Sequence, residues 1–195
     1  MDPSVSYAEF GQRFFDLVVT ADRLADTLAG LSGRPLEIGP VGAGPGKIAR
    51  VTVTGSIGKA AAVREEGEPL RFRVALPLEI DLLVQLPGQD ARFHGVVTVA
   101  IALVARAVAP LRVVFDVTPP EPGDVEVDLV ADGVRAGLLR AAAGLDEEMK
   151  RYVARYVATE LDKPKARAAR ELDLLARIDS ARGARSESRD IPRET

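Results

Sequence analysis

LRFRVALPLEIDLLVQL, Leu70 to Leu86, decides the fold of this chain. Its even positions are apolar without a break: Leu70, Phe72, Val74, Leu76, Leu78, Ile80, Leu82, Val84 and Leu86. Successive side chains of a β-strand point to opposite faces, so this alternation places one continuous oily stripe on a single side. Arg71, Arg73, Glu79 and Asp81 fall on the other side, which predicts a solvated face. An unbroken strand of this length would span roughly 55 Å, whereas common strands have about five or six residues. The segment therefore predicts one long bent strand or two strands in series, with Pro77 at the bend.

Working outward, Pro87-Gly88-Gln89-Asp90 closes a hairpin, and Phe93 to Ala107 is a second long β segment. Val97, Val99, Ile101 and Leu103 share one of its faces. Ile48 to Ile57, Ala60 to Arg64, Leu111 to Val117 and Val125 to Val130 alternate in the same way. The glycine-rich run Gly39 to Gly46 is a loop by composition.

The flanks change period. From Tyr7 to Leu31, the residues Phe10, Phe14, Leu17, Val18, Ala21, Leu24, Ala25, Leu28 and Leu31 form one helical stripe, and Ser32-Gly33 then Pro35 end it. Phe10 and Phe14 read as core; Phe15 lies off the main stripe. After Gly133, helical spacing returns through Val134, Leu138, Leu145, Met149, Val153, Val157 and Leu161, with a break expected at Gly144. A further helix is expected from Lys165 to about Asp179 after Pro164. The remainder, Ser180 to Thr195, has no apolar period and reads as a disordered tail.

Helices that flank a run of strands predict an α+β fold. The expected architecture is a long bent antiparallel β-sheet wrapped around long N- and C-terminal amphipathic helices. Residues 1–162 form a single domain in this reading, 163–179 a C-terminal helix and 180–195 a tail.

Composition narrows the function. The chain has 195 residues, 47% of them hydrophobic, enough for one domain with a substantial core. Its 26 basic and 29 acidic residues give a net charge of −3, which offers no footprint for nucleic acid. It contains no cysteine, so disulfides, thiolate metal sites and cysteine nucleophiles are excluded. The first residues lack the basic start and apolar run of a signal peptide, and no transmembrane segment is expected, so a cytoplasmic location is.

No motif carries chemistry. The glycine-rich loop before Lys47 has Val41 and Ile48 where a phosphate-binding loop needs Gly and Ser or Thr. His94, the only histidine, has no carboxylate two residues away on its strand and reads as a surface residue. Glu79 and Asp81 share a face, where ion pairs explain them better than acid–base work. Neither a cofactor nor a metal is expected.

The stretch Val125 to Leu161, VEVDLVADGVRAGLLRAAAGLDEEMKRYVARYVATEL, resembles the end of a tubular lipid-binding domain, the superfamily of the bactericidal/permeability-increasing and SMP proteins. In those domains a final strand passes through a Gly- and Leu-containing segment into a long helix wrapped by a bent sheet. Here Val125, Val127 and Leu129 end the strand, Gly133, Gly137, Leu138 and Leu139 make the transition, and Leu145, Met149, Val153, Val157 and Leu161 form the wrapped stripe. The resemblance extends over about residues 7–162. It implies binding of a lipid or another long apolar molecule between sheet and helices. The lining would be Phe14, Phe72, Val74, Leu76, Leu78, Ile80, Val97, Val99, Ile101, Leu103, Met149 and Val153. Two alternatives share the same elements. One is a structural or protein-interaction domain with a closed core. The other is a helix-grip, START-like fold serving as a ligand-binding protein or an enzyme.

Overall fold

The structure, a computed structural model, describes residues 4–43, 45–133 and 144–187. Its frame is the hairpin of β4 (Leu70–Leu86) and β5 (Gln89–Val108), paired in unbroken antiparallel register from Leu70 opposite Ala105 to Leu86 opposite Gln89. The alternation read from the sequence holds on both sides of Pro77, with residues 75–77 all half-buried. Phe72, Val74, Leu78, Ile80, Leu82 and Val84 are buried, while Arg71, Arg73, Glu79 and Asp81 are exposed.

Each long strand is flanked by two short strands placed end to end. On the free side of β4, β2 (Ala49–Ile57) pairs with residues 78–85 and β3 (Ala61–Glu65) with residues 71–75. On the free side of β5, β7 (Val125–Ala131) pairs with residues 93–99 and β6 (Arg112–Thr118) with residues 102–108. β1 (Pro35–Ala43) extends the sheet beyond β2, and the three-residue β8 (Glu171–Asp173) extends it beyond β6. The result is a curled antiparallel half-barrel of eight strands.

Pro77 falls where β4 exchanges one neighbour for the next. The Gly58 N–H donates to the Pro77 carbonyl at 2.8 Å, so that side of Pro77 faces the gap between β2 and β3. A missing donor there costs no ladder bond, and the strand runs through the proline.

Ile80 sits between two glycines. Its neighbours across the sheet are Gly55 on β2 and Gly95 on β5. A Cβ on Gly55 would lie 2.0 Å from the Glu79 carbonyl oxygen, and one on Gly95 would lie 2.1 Å from that of Asp128. The backbones approach this closely because neither position carries a side chain.

Several sequence expectations are corrected. The single N-terminal helix is two: α1 (Tyr7–Val18) and α2 (Ala21–Ala29). The break follows from Val18-Val19-Thr20, a β-branched run, and Thr20 caps α2 by accepting from the Arg23 N–H. The Gly39–Gly46 loop is largely strand: β1 continues through Ala43 across a bulge between Ile38 and Val41. At the other end, α3 (Leu145–Asp162) begins at the acidic turn Asp146-Glu147-Glu148. The expected helical start after Gly133 falls within 134–143, outside the described residues. The helix expected over 165–179 is divided into α4 (Pro164–Ala168), the strand β8 and α5 (Leu174–Glu187), because Leu172 pairs opposite Val113 instead of continuing a helical stripe. Helix α5 extends into the segment expected to be a tail.

The core lies on the inner face of the curl. Phe72, Phe93, Leu82, Val97, Val99, Val113 and Val125 are fully buried there, and α3 contributes Met149, Val153, Ala154 and Val157. No polar or charged residue is buried among the described residues.

Candidate functional site

Two features stand out from the packed core: a seam beneath α3 and an open face on α1. The seam is the narrow cleft where α3 meets the curled sheet. Leu36 and Ile38 of β1, Val53 of β2, Leu78 and Ile80 of β4 and Val97 of β5 form its floor and one wall. Met149, Tyr152, Val153 and Tyr156 of α3 form the other. The spacing of three and four residues along α3 turns these four side chains to one face. The cleft encloses about 20 Å³, room for a single water molecule at most.

Of the expected lining residues, Leu78, Ile80, Val97, Met149 and Val153 come together at this seam. Phe72, Val74, Val99, Ile101 and Leu103 share the inner face and are packed into the core away from the cleft, and Leu76 is half-buried. Phe14 is elsewhere: it lies on the outer side of α1, stacked on Phe10 with ring centroids 6.3 Å apart. The assignment of Phe10 and Phe14 to the core is thus reversed, since Phe15 and Val18 are the α1 residues that pack against it. In α1 the inward side is that of Phe15 and Val18, whereas Ala21, Leu24 and Leu28 of the expected stripe do pack against the core from α2.

Leu36, Ile38, Val53, Tyr152 and Tyr156 were not anticipated. For Tyr152 and Tyr156 the signal was present, because they stand three residues after Met149 and Val153 on the same helical face. Burial, and then the Glu160 carboxylate, push the Tyr156 phenol above its ordinary pKa, so it remains neutral across the physiological range. Near it, Lys163 donates a hydrogen bond to the Glu160 carboxylate, which holds that ammonium above its usual pKa.

The second feature is α1 itself. None of its residues is buried, and Tyr7, Phe10, Phe14 and Leu17 are 98%, 60%, 36% and 72% exposed. These positions, at i, i+3, i+7 and i+10, share one helical face. The other side is fastened to the domain: the Gln12 amide donates to Glu68 at 3.0 Å, and Arg64 pairs with Asp16 at 3.0 Å.

The outward sheet face carries the remaining polar candidates. Glu79, Asp81 and His94 are all exposed, with His94 opposite Asp81 on one side and Val130 on the other. No group of three or more His, Cys, Asp or Glu side chains is placed to hold a metal ion among the described residues. The segment before Lys47 closes with the short turn Pro45–Lys47 and continues into a strand, not a helix. No described helix is long and apolar enough to cross a membrane. No protein-family model matches the chain, and no curated protein matches it.

Proposed function

We propose that this is a non-catalytic interaction domain, its interior filled by its own side chains and its partner met at the exterior. The observation that supports this reading is the size of the seam. Sites for small molecules usually enclose about 300–1,000 Å³; the seam encloses about 20 Å³. The inner face of the sheet, which the sequence presents as surplus apolar area, is packed against by α3 and by side chains from α1 and α2. A cytoplasmic location belongs to the same reading. Native mass spectrometry of the purified chain, with organic extraction of the same sample, tests it. The expected spectrum is that of the bare polypeptide.

A second reading has its own support. Every side chain at the seam is aliphatic, a thioether or a tyrosine ring, and the seam lies between α3 and residues of β1, β2, β4 and β5. A lipid-like apolar molecule carried there would press between Leu78, Ile80 and Val97 on one side and Met149 and Val153 on the other. A co-purified apolar molecule in the mass spectrum would transfer the function to that seam.

A further inference from the structure

We propose that α1 is an interfacial anchor, which lays its Tyr7–Phe10–Phe14–Leu17 face on a lipid surface with uncharged headgroups. The proposal rests on the reading that the exterior carries the function, and it names the partner. Three observations select this partner.

The first is geometric. The side of α1 away from the stripe is held by Gln12, Phe15 and Asp16 against the rest of the domain, and Val18 packs on the core at the stripe's edge. A partner groove that enclosed the helix would have to displace those contacts. A flat surface needs only the open side. A 12-residue helix lying in that plane presents a strip about 18 Å long.

The second is charge. The charged residues of α1 are Glu9, Arg13 and Asp16. Glu9 pairs with Arg13 and Asp16 with Arg64, so the helix offers no free cation to an anionic headgroup. The net charge of −3 adds repulsion from an anionic bilayer. What remains is an apolar stripe with a tyrosine at its start, and an amphipathic ring of this kind suits the headgroup level.

The third is area. Large side chains bury roughly 150–250 Å² each when fully covered, so the partly exposed stripe offers roughly 500 Å² per copy. Two copies packed stripe to stripe would bury roughly 1,000 Å² together, short of the roughly 1,200–2,000 Å² of a stable interface. A bilayer takes up such a stripe without a matched partner surface.

The test is flotation of the full chain with phosphatidylcholine vesicles, and in parallel with phosphatidylglycerol vesicles. The double variant Phe10→Ser/Leu17→Ser is compared with the wild type. The wild type should float with phosphatidylcholine, with little dependence on salt, and more weakly with phosphatidylglycerol. The variant should lose tenfold or more in partitioning while keeping its melting temperature, since both side chains are exposed. Absence of flotation, or equal flotation of the variant, overturns the proposal. So does a wild-type dimer in analytical ultracentrifugation that the variant abolishes, which assigns the stripe to a second copy. The interior is judged separately. A bound apolar molecule in the native mass spectrum of either protein defeats the closed-core reading and leaves the flotation result standing. Failed flotation with a bare mass spectrum defeats the anchor alone.

Discussion

Ile80 stands in a row of the sheet between two residues without side chains, Gly55 and Gly95. Those gaps let the neighbouring backbones of β4 and β7 close in. Gly95→Ala forces the Asp128 carbonyl or its own strand to move, a clash of the overpacking kind that costs about 1–3 kcal/mol. Gly11→Ala should do the opposite. Gly11 is exposed within α1 with nothing near its missing Cβ, and alanine there should stabilise the protein by about 0.5–1 kcal/mol. Urea denaturation of the two variants checks both signs, and equal behaviour of the two sites would refute the role given to Gly95. A smaller effect belongs to Asp116, whose carboxyl is held below its usual pKa by its hydrogen bond and ion pair with Arg106. A depressed carboxyl contributes stability above its unfolded pKa of about 3.9 and loses it as pH falls through the folded value. Stability curves of wild type and Asp116→Asn should therefore differ slightly at neutral pH and converge in acid. Divergence that grows as the pH falls would contradict the pairing.

At the level of elements, β4 was legible because a 17-residue period-2 pattern admits one register, and a one-residue slip would exchange its faces wholesale. The helices were legible only as helices. Periodicity reports that a face is apolar, not what covers it, and Phe10, Phe14 and Phe15 show the consequence. Two adjacent valines and a capping threonine turned one stripe into two, and the aromatic pair assigned inward points out. β1 was hidden for another reason: strand pairing across a bulge can enlist glycine and proline, which local composition assigns to loops. At the seam, the residues from β4, β5 and α3 could be read from spacing, whereas Leu36, Ile38 and Val53 arrive through strand pairings remote in sequence. Two substitutions test the element assignments. Phe15→Ala should lower the melting temperature by several degrees, and Phe14→Ala should change it little, because only Phe15 packs against the core. Met149→Asp would place an unpaired carboxylate in the buried face of α3. Even neutralised by protonation, the unpartnered group costs about 2–7 kcal/mol, comparable with a total stability of about 5–15 kcal/mol. Unfolding or aggregation is expected; an unchanged melting temperature would show that α3 is not seated on the sheet.

For the whole molecule, the two readings of function divide on one physical question: whether the inner face of the half-barrel is full. Apolar surface gains about 25 cal/mol per Å² when it leaves water, whichever molecule covers it. The sequence shows the surface and leaves its cover open. In the fold, α3 and side chains of α1 and α2 pack against that face, and the seam beneath α3 encloses about 20 Å³. Val99 lies at the centre of β5, opposite Leu76 and Val125, with no exposed surface. The most direct measurement is thermal and chemical unfolding of Val99→Trp. A filled interior has no room for an indole, so the variant should fail to fold or melt far below the wild type. A folded Val99→Trp protein with wild-type stability would mean that the interior holds a cavity large enough to accept it, and would contradict the closed core.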